Sequence, residues 1–264
     1  MSHPVITLTT DFSDDLFVGV MKGVIASINP EALVVDVTHA VRLGDVRAGA
    51  FALRVSAGYF PKGSIHVAVV DPGVGSARRI LCVQTADYVY LAPDNGLLSW
   101  RLACEKVLAV RSVENARFFL RDVSRTFHGR DIFAPVAARL SLGVVPEDLG
   151  PELDPDHIVR IEFPKPGRPD AQTLRGEVLY VDRFGNAVTN LPATEFASVD
   201  PSRVRVEIAS LCLTGLSRSY SDSPPGAALA LLGSAGFLEI AASGANAAKQ
   251  FGIKVGDAVR ITFA

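Results

Sequence analysis

Cysteine is scarce in this chain: Cys82, Cys104 and Cys212 are the only three among 264 residues. They are far apart and odd in number, so they form neither a C-x-x-C metal knuckle nor a disulfide framework. Each lies in an apolar stretch, such as Ile80-Leu81-Cys82-Val83, and reads as a small buried hydrophobe. An excess of charge is also missing. Twenty-six Lys+Arg against 28 Asp+Glu leave a net charge of −2, which gives no electrostatic footprint for nucleic acid or an anionic membrane. Long apolar runs are absent too. The longest uncharged stretch, Ser223 to Leu238, holds two prolines and three glycines and is too short and broken to span a bilayer. The N-terminus has no basic segment followed by an apolar one with a cleavage site, so no signal peptide is expected and the cytoplasm is the expected compartment. Disorder is excluded by a composition that is 48% hydrophobic and 20% charged.

A chain of this length suggests one large domain or two smaller ones, with a core that needs no disulfide or metal staples. The first part alternates strand-like and helix-like segments. Val5 to Thr9 is a short β-prone run. Phe17, Val20, Met21, Val24 and Ile28 then recur on one face of a helix. Leu33 to Val37 reads as a strand covered on both faces, Asp45 to Tyr59 as a helix, and Ile65 to Val70 as a buried strand. Val83 to Leu91 reads as a further strand or hairpin. Ile132 to Leu142 reads as a helix with Pro135 in its first turn. This rhythm predicts an α/β domain around a mostly parallel sheet over residues 1–165. Three prolines and a glycine then crowd residues 163–170, and a linker is expected over 166–173. Beyond it, over 174–264, Val204, Val206 and Ile208 alternate with polar residues, as do Val259, Ile261 and Phe263. That pattern predicts a smaller antiparallel β domain, barrel-like in form.

Four polar, Gly- and Pro-containing clusters fall at the ends of apolar runs, where α/β proteins bind ligands. The first is Thr9-Thr10-Asp11-Phe12-Ser13; Asp11 suits a ribose diol, or equally a helix cap. The second is Asp71-Pro72-Gly73-Val74-Gly75-Ser76-Ala77-Arg78-Arg79. It matches neither G-x-G-x-x-G nor a P-loop, and Asp71 with Arg78 reads either as a pair in a cleft or as a surface ion pair. The third is Thr126-Phe127-His128-Gly129-Arg130-Asp131. Of the five histidines, His3 is terminal, His157 lies in a polar stretch, and His39 and His66 sit in or beside strands as core histidines. His128 is therefore the best placed for proton chemistry. A metal held by Asp71, His128 and Asp131 has no supporting ligand spacing. The fourth is Asp182-Arg183-Phe184-Gly185-Asn186. On an extended chain Asp182, Phe184 and Asn186 would share one face and suit a zwitterion joined to a flat heterocycle; the alternative is a turn.

Taken in order, these clusters carry a resemblance. Thr9-Thr10-Asp11-Phe12, Met21-Lys22-Gly23, Val35-Asp36-Val37-Thr38-His39, Asp71-Pro72-Gly73-Val74-Gly75, Pro93-Asp94-Asn95-Gly96, Phe127-His128-Gly129-Arg130-Asp131, Asp182-Arg183-Phe184-Gly185-Asn186 and Gly236-Phe237-Leu238-Glu239-Ile240-Ala241 span nearly the whole chain. Together they resemble the S-adenosylmethionine (SAM) hydroxide adenosyltransferases, or SAM hydrolases, relatives of the fluorinase and chlorinase. The resemblance implies hydrolysis of SAM to adenosine and L-methionine by water or hydroxide attack at the ribose C5′. It implies no cofactor and no metal. It also implies a homotrimer with SAM between one subunit's N-terminal domain and the neighbour's C-terminal domain.

The resemblance puts Asp71, Arg78 and His128 in the catalytic trio, with the adjacent Arg79 leaving the choice of arginine open. Asp11 falls on the ribose hydroxyls, Asn95 on a further substrate contact, and Phe127 on an apolar wall near the reacting carbon. Asp182 falls on the methionine ammonium, Ser234 on its carboxylate, Phe184 and Asn186 on adenine, and Ala247 on backbone contacts. The fluorinase carries a Tyr-Ser pair at the positions of His128 and Gly129, a tyrosine at that of Asp71, and a long extra loop, all of which favour water over halide in this chain. Ser13 departs from the glycine of many relatives, and Ala235 from the arginine of the halogenases. A halide adenosyltransferase, a SAM- or adenosine-binding protein without turnover, and a metal-dependent hydrolase remain as competing readings.

Overall fold

The computed structural model of the chain describes residues 4–13 and 16–263; His3 lies outside them. The chain forms two units, Met1–Glu162 and Phe163–Ala264. The first contains β1 (Ile6–Thr10), α1 (Leu16–Ile28), β2 (Val34–Thr38), α2 (Val46–Ser56), β3 (Ile65–Val69), β4 (Ile80–Thr85), β5 (Val89–Pro93), α3 (Ser99–Leu102), β6 (Val107–Ser112), α4 (Ala134–Ser141) and β7 (Glu152–Leu153). Among the described residues its sheet runs β2-β1-β3-β5-β4-β6-β7. The first four of these are mutually parallel, and β4, β6 and β7 continue the sheet antiparallel. The α/β reading therefore holds, and the Val83–Leu91 stretch resolves into the β4–β5 hairpin.

β1 and β3 sit inside the sheet and are buried along their whole length. β2 is only half-buried, not covered on both faces as its apolar run suggests, because it forms the sheet's margin and has one neighbour. The buried face of α1 also differs from the expected stripe. Val18, Met21 and Ile25 face the core, with Val24 and Ile28 packed against it, whereas Phe17 stays 40% exposed. Asp45 caps α2 by accepting from the Ala48 amide at 2.9 Å. A π-helical turn, Gly129–Phe133, precedes α4 and ends where the Ala134 amide reaches back to the Gly129 carbonyl. Pro135 occupies the first turn of α4 as expected. The core of this unit joins Leu8, Met21, Ile25, Val67, Phe133 and Val136.

The second unit contains β8 (Gly167–Asp170), β9 (Thr173–Val181), β10 (Ala187–Pro192), β11 (Val204–Ile208), β12 (Leu211–Thr214), β13 (Ala228–Leu232), β14 (Phe237–Ala242), α5 (Ala247–Phe251) and β15 (Ala258–Phe263). Its ladders are antiparallel in the order β12-β11-β15-β9-β10-β14-β13, with β8 on β9. The two end strands, β12 and β13, approach each other, so the sheet curls into a nearly closed barrel. Its inward side is Leu174, Val178, Val206, Leu238, Ile240 and Ile261. The stretch expected to be a linker, 166–173, is largely strand: β8 finds backbone partners along β9, since Pro169 is tolerated on an edge strand.

The cysteines divide by position. Cys82 is buried in β4, but Cys104 and Cys212 are exposed, contrary to their apolar setting. Cys104 follows α3 in a loop, and Cys212 falls on the outward side of β12, where exposure alternates along the strand. Among the described residues no helix is long and apolar enough to cross a membrane.

Candidate active site

Parallel pairing of β1 with β3 sets their C-terminal ends side by side. Asp11 follows one and Asp71 closely follows the other. A cavity of about 440 Å³ opens there, lined by Asp11, Phe12, Leu43, Asp71, Phe127 and His128, among others. This size is ordinary for a small-molecule site.

The sequence left two arginines open, and the geometry separates them. Arg78 Nε donates to Asp71 Oδ2 at 2.8 Å, and Arg78 Nη2 contacts the same oxygen. Nη2 also stands 2.9 Å from His128 Nδ1. Arg79 turns elsewhere, to Asp94 Oδ2 at 2.8 Å and the His157 carbonyl at 2.6 Å. The Asp71–Arg78 pair is no surface ion pair: the two side chains are 4% and 10% exposed.

A guanidinium has only donors, so His128 Nδ1 accepts and the ring proton of the neutral imidazole lies on Nε2. Burial, and next the Arg78 charge, hold the His128 pKa below the usual histidine value. Asp71 Oδ1 is buried and has no hydrogen-bond partner among the described residues. It is therefore an open acceptor on a residue that lines the cavity.

Backbone geometry keeps these loops together. Gly75 has φ +78, and a Cβ there would lie 2.1 Å from the Arg125 carbonyl oxygen. Only glycine lets the Asp71 loop approach the His128 loop so closely. Phe127 forms an edge-on cluster with Phe12 and Phe17, at centroid distances of 5.9 and 4.9 Å. The exposed Phe17 that sequence periodicity assigned to the core thus belongs to this aromatic wall.

Asp11 Oδ2 accepts from the Gly44 amide at 2.8 Å. Asn95 lies behind the strand end: its Nδ2 donates to the Val70 carbonyl at 2.8 Å and its Oδ1 accepts from the Leu97 amide at 3.1 Å. Asp131 is fully buried, bound by the Ser124 amide and Arg130. Among the described residues no group of three or more His, Cys, Asp or Glu side chains could hold a metal ion.

In the second unit Asp182, Phe184 and Asn186 do not lie along an extended strand. They form the turn between β9 and β10, so the shared-face argument fails and the turn alternative holds. Asp182 organises the turn: Oδ1 accepts the Phe184 and Asn186 amides, both at 2.9 Å, and Oδ2 accepts Asn186 Nδ2 at 3.0 Å. Gly185, at φ +89, presses so close to Asn246 that a Cβ would lie 2.0 Å from it. Asn246 caps α5, whose first residue, Ala247, is fully buried. Phe184 remains 66% exposed. Ser234 sits in the exposed β13–β14 turn.

Sequence reasoning missed Glu239. It is buried on β14, accepts from the Tyr220 hydroxyl at 2.6 Å, and has its pKa raised chiefly by burial. The available signal was a lone acid inside the apolar run Phe237-Leu238-Glu239-Ile240.

A parallel strand-end cavity with a buried Asp–Arg–His array, in an α/β unit followed by a β-barrel unit, defines a small-molecule enzyme architecture. Residues 6–150 match the SAM hydroxide adenosyltransferase N-terminal domain and residues 176–260 its C-terminal domain. The chain belongs to the SAM hydroxide adenosyltransferase family. It is 41% identical over 261 residues to the (R)-S-adenosyl-L-methionine hydrolase of Salinispora tropica, covering 98% of each chain. A fluorinase from Nocardia brasiliensis is more distant, at 27% identity, with 98% of this chain and 97% of the relative covered. A crystal structure of an uncharacterized conserved protein from Thermotoga maritima superposes with a TM-score of 0.90 at 36% identity, covering 98% of this chain and all of that one.

Proposed function

We propose that this protein hydrolyses S-adenosyl-L-methionine to adenosine and L-methionine. The observation that carries the proposal is the buried Asp71–Arg78–His128 array at the cavity, with one free carboxylate oxygen. The (R)-SAM hydrolase named among the relatives supports the substrate. Water attacks C5′ in line with the sulfonium: an O–C5′ bond forms, the C5′–S bond breaks, and methionine leaves as a neutral thioether. The leaving group needs no acid, so the protein's task is to position water and take its proton. Asp71 Oδ1 accepts that proton. Arg78 holds Asp71 through Oδ2 and holds His128 in the tautomer that keeps its proton on Nε2.

Asp11 binds the ribose diol, Phe127 walls the reacting carbon, and Asn95 acts through the Val70 carbonyl that precedes Asp71. Asp182 and Ser234 take the ammonium and carboxylate of the methionine end; Phe184, Asn186 and the Ala247 backbone take adenine. A homotrimer brings the two residue sets together from neighbouring subunits. In support, each unit carries part of the set and an exposed apolar side chain, Leu43 at 86% in the first and Phe184 at 66% in the second. No metal or cofactor takes part, since the sulfonium already leaves readily. Three free cysteines fit a cytoplasmic location.

Halide as nucleophile is disfavoured by Gly129. A Cβ there would lie 3.1 Å from both Met21 Sδ and Phe127 Cε2, which leaves little room for the serine of the fluorinase. The test is incubation with each sulfur epimer of SAM in oxygen-18 water containing chloride and a strong chelator. The reading expects labelled adenosine and no chlorinated nucleoside. Tight SAM binding with no product overturns it.

A further inference from the structure

We infer that His39 and Thr10 are positioning residues that set how Asp11 meets the ribose; the inference rests on the assignment of Asp11 to the ribose diol. Three motifs that the catalytic trio does not use converge behind Asp11. Lys22 on α1 pairs with Asp36 on β2 at 2.5 Å. Asp36 Oδ1 lies 3.1 Å from His39 Nε2. His39 Nδ1 lies 2.9 Å from Thr10 Oγ1, and Thr10 Oγ1 accepts from the Phe12 amide at 3.2 Å. The backbone closes the same junction, because the Ser13 amide donates to the His39 carbonyl at 2.7 Å.

The Asp36 carboxylate lies beside Nε2 as a charge partner, and Nε2 makes no hydrogen bond of good geometry among the described residues. The Thr10 oxygen receives the Phe12 amide, so its own proton is directed to His39 Nδ1. The residues on both sides of Asp11 are thus tied to one imidazole-bearing residue, while Gly44 fixes the Asp11 carboxylate itself. The β1–β2 register contributes: it jumps from Leu8↔Asp36 to Thr9↔Thr38, an irregularity that re-aims the strand end just before the site.

A core histidine with a merely structural role would affect how much protein folds. A positioning role changes how the folded protein reads its ligand. The experiment therefore compares hydrolysis of SAM with that of its 2′-deoxyadenosyl analogue by the wild type, His39→Ala, His39→Asn, Thr10→Val and Thr10→Ser. His39→Ala and Thr10→Val are expected to raise KM for SAM about tenfold with kcat changed far less, and to shrink the preference for the ribo substrate. Thr10→Ser restores the hydroxyl, and His39→Asn restores a polar atom near the place of Nδ1. Both are expected to recover much of the preference. An unchanged preference in His39→Ala and Thr10→Val, or a loss confined to kcat, overturns the inference. Should wild type leave SAM intact, the hydrolase reading fails by itself, and amide exchange at Phe12 and Ser13 decides the inference. Faster exchange in His39→Ala supports it; unchanged exchange overturns it.

Discussion

Arg78 Nη2 stands 2.9 Å from His128 Nδ1 while the same guanidinium grips Asp71. One cation thereby fixes both a tautomer and a carboxylate orientation. Replacing Arg78 by Lys keeps the charge but loses the forked geometry. Arg78→Lys and Asp71→Asn are each expected to lower kcat by about 10² to 10⁴, as loss of a positioned base does. Arg79→Lys, whose partners are Asp94 and the His157 carbonyl, is expected to leave kcat far less affected. Steady-state kinetics of the three variants check the distinction.

The same contact gives a pH dependence with a definite sign. Protonating His128 puts a second N–H on Nδ1, directly opposite the Arg78 donor. Burial, and then Arg78, lower its pKa, so the neutral form persists through neutrality. The activity should be level there and fall on the acid side only below the ordinary histidine value of about 6.5. A kcat/KM profile with its acid limb at or above that value would contradict the tautomer assignment.

Gly75 offers a separate test of loop apposition. In Gly75→Ala the new Cβ collides with the Arg125 carbonyl in a left-handed backbone. The Asp71 loop must then move away from the His128 loop. A displacement near 1 Å costs about 10²-fold in rate. Turnover and melting temperature measured on the same sample should show activity falling much more than stability.

His66 is buried in the sheet and is not among the residues that line the cavity. It is 1% exposed, stacks on Tyr90 at 5.1 Å, and bonds Thr7 through Nδ1 at 2.8 Å. Burial, and then Arg101, push its pKa down to about 4. The unfolded chain binds this proton from about pH 6.5 and the native chain only near 4. Stability is thus complete above the unfolded value and falls as pH drops through this window, by about 3 kcal/mol in all. Denaturant melts between pH 7 and 4 should show this slope, and His66→Asn should lack most of it.

Ser13 occupies a left-handed backbone, φ 56. This explains in physical terms why a glycine suits the position. Ser13→Gly is expected to stabilise the protein by up to about 1 kcal/mol, since the side chain there is strained and exposed. A lower melting temperature would contradict the strain.

The strand–helix rhythm was legible because Ile65–Val69 and the alternating Val204–Ile208 carry their burial in their periodicity. That Asp71, Arg78 and His128 meet was legible only as a resemblance, with their loops placed at strand ends. The contacts within this array were not, since nothing in Arg78-Arg79 says which side chain turns to Asp71; the fold decides that by drawing Arg79 to Asp94 and the His157 carbonyl. Phe17 was misread because a helical stripe marks apolar positions without saying whether they meet a core or a cavity wall. The Asp182–Asn186 segment stayed open between an extended run and a turn, because an i, i+2, i+4 spacing presumes the backbone it seeks to predict. Glu239 was missed because a single acid inside an apolar strand carries no spacing signal.

The π-helical turn at Gly129–Phe133 gives the protein a movable phase. Each residue of a regular helix advances the chain by about 100°. The wide turn absorbs one such step between His128 and the core-facing Phe133 and Val136. Shortening this segment by one residue would let α4 run regularly into the loop, yet would swing His128 about a quarter-turn from Arg78. Length variation within 129–133 is therefore tied to the His128–Arg78 contact, while changes of length beyond Ser141 are free of that constraint.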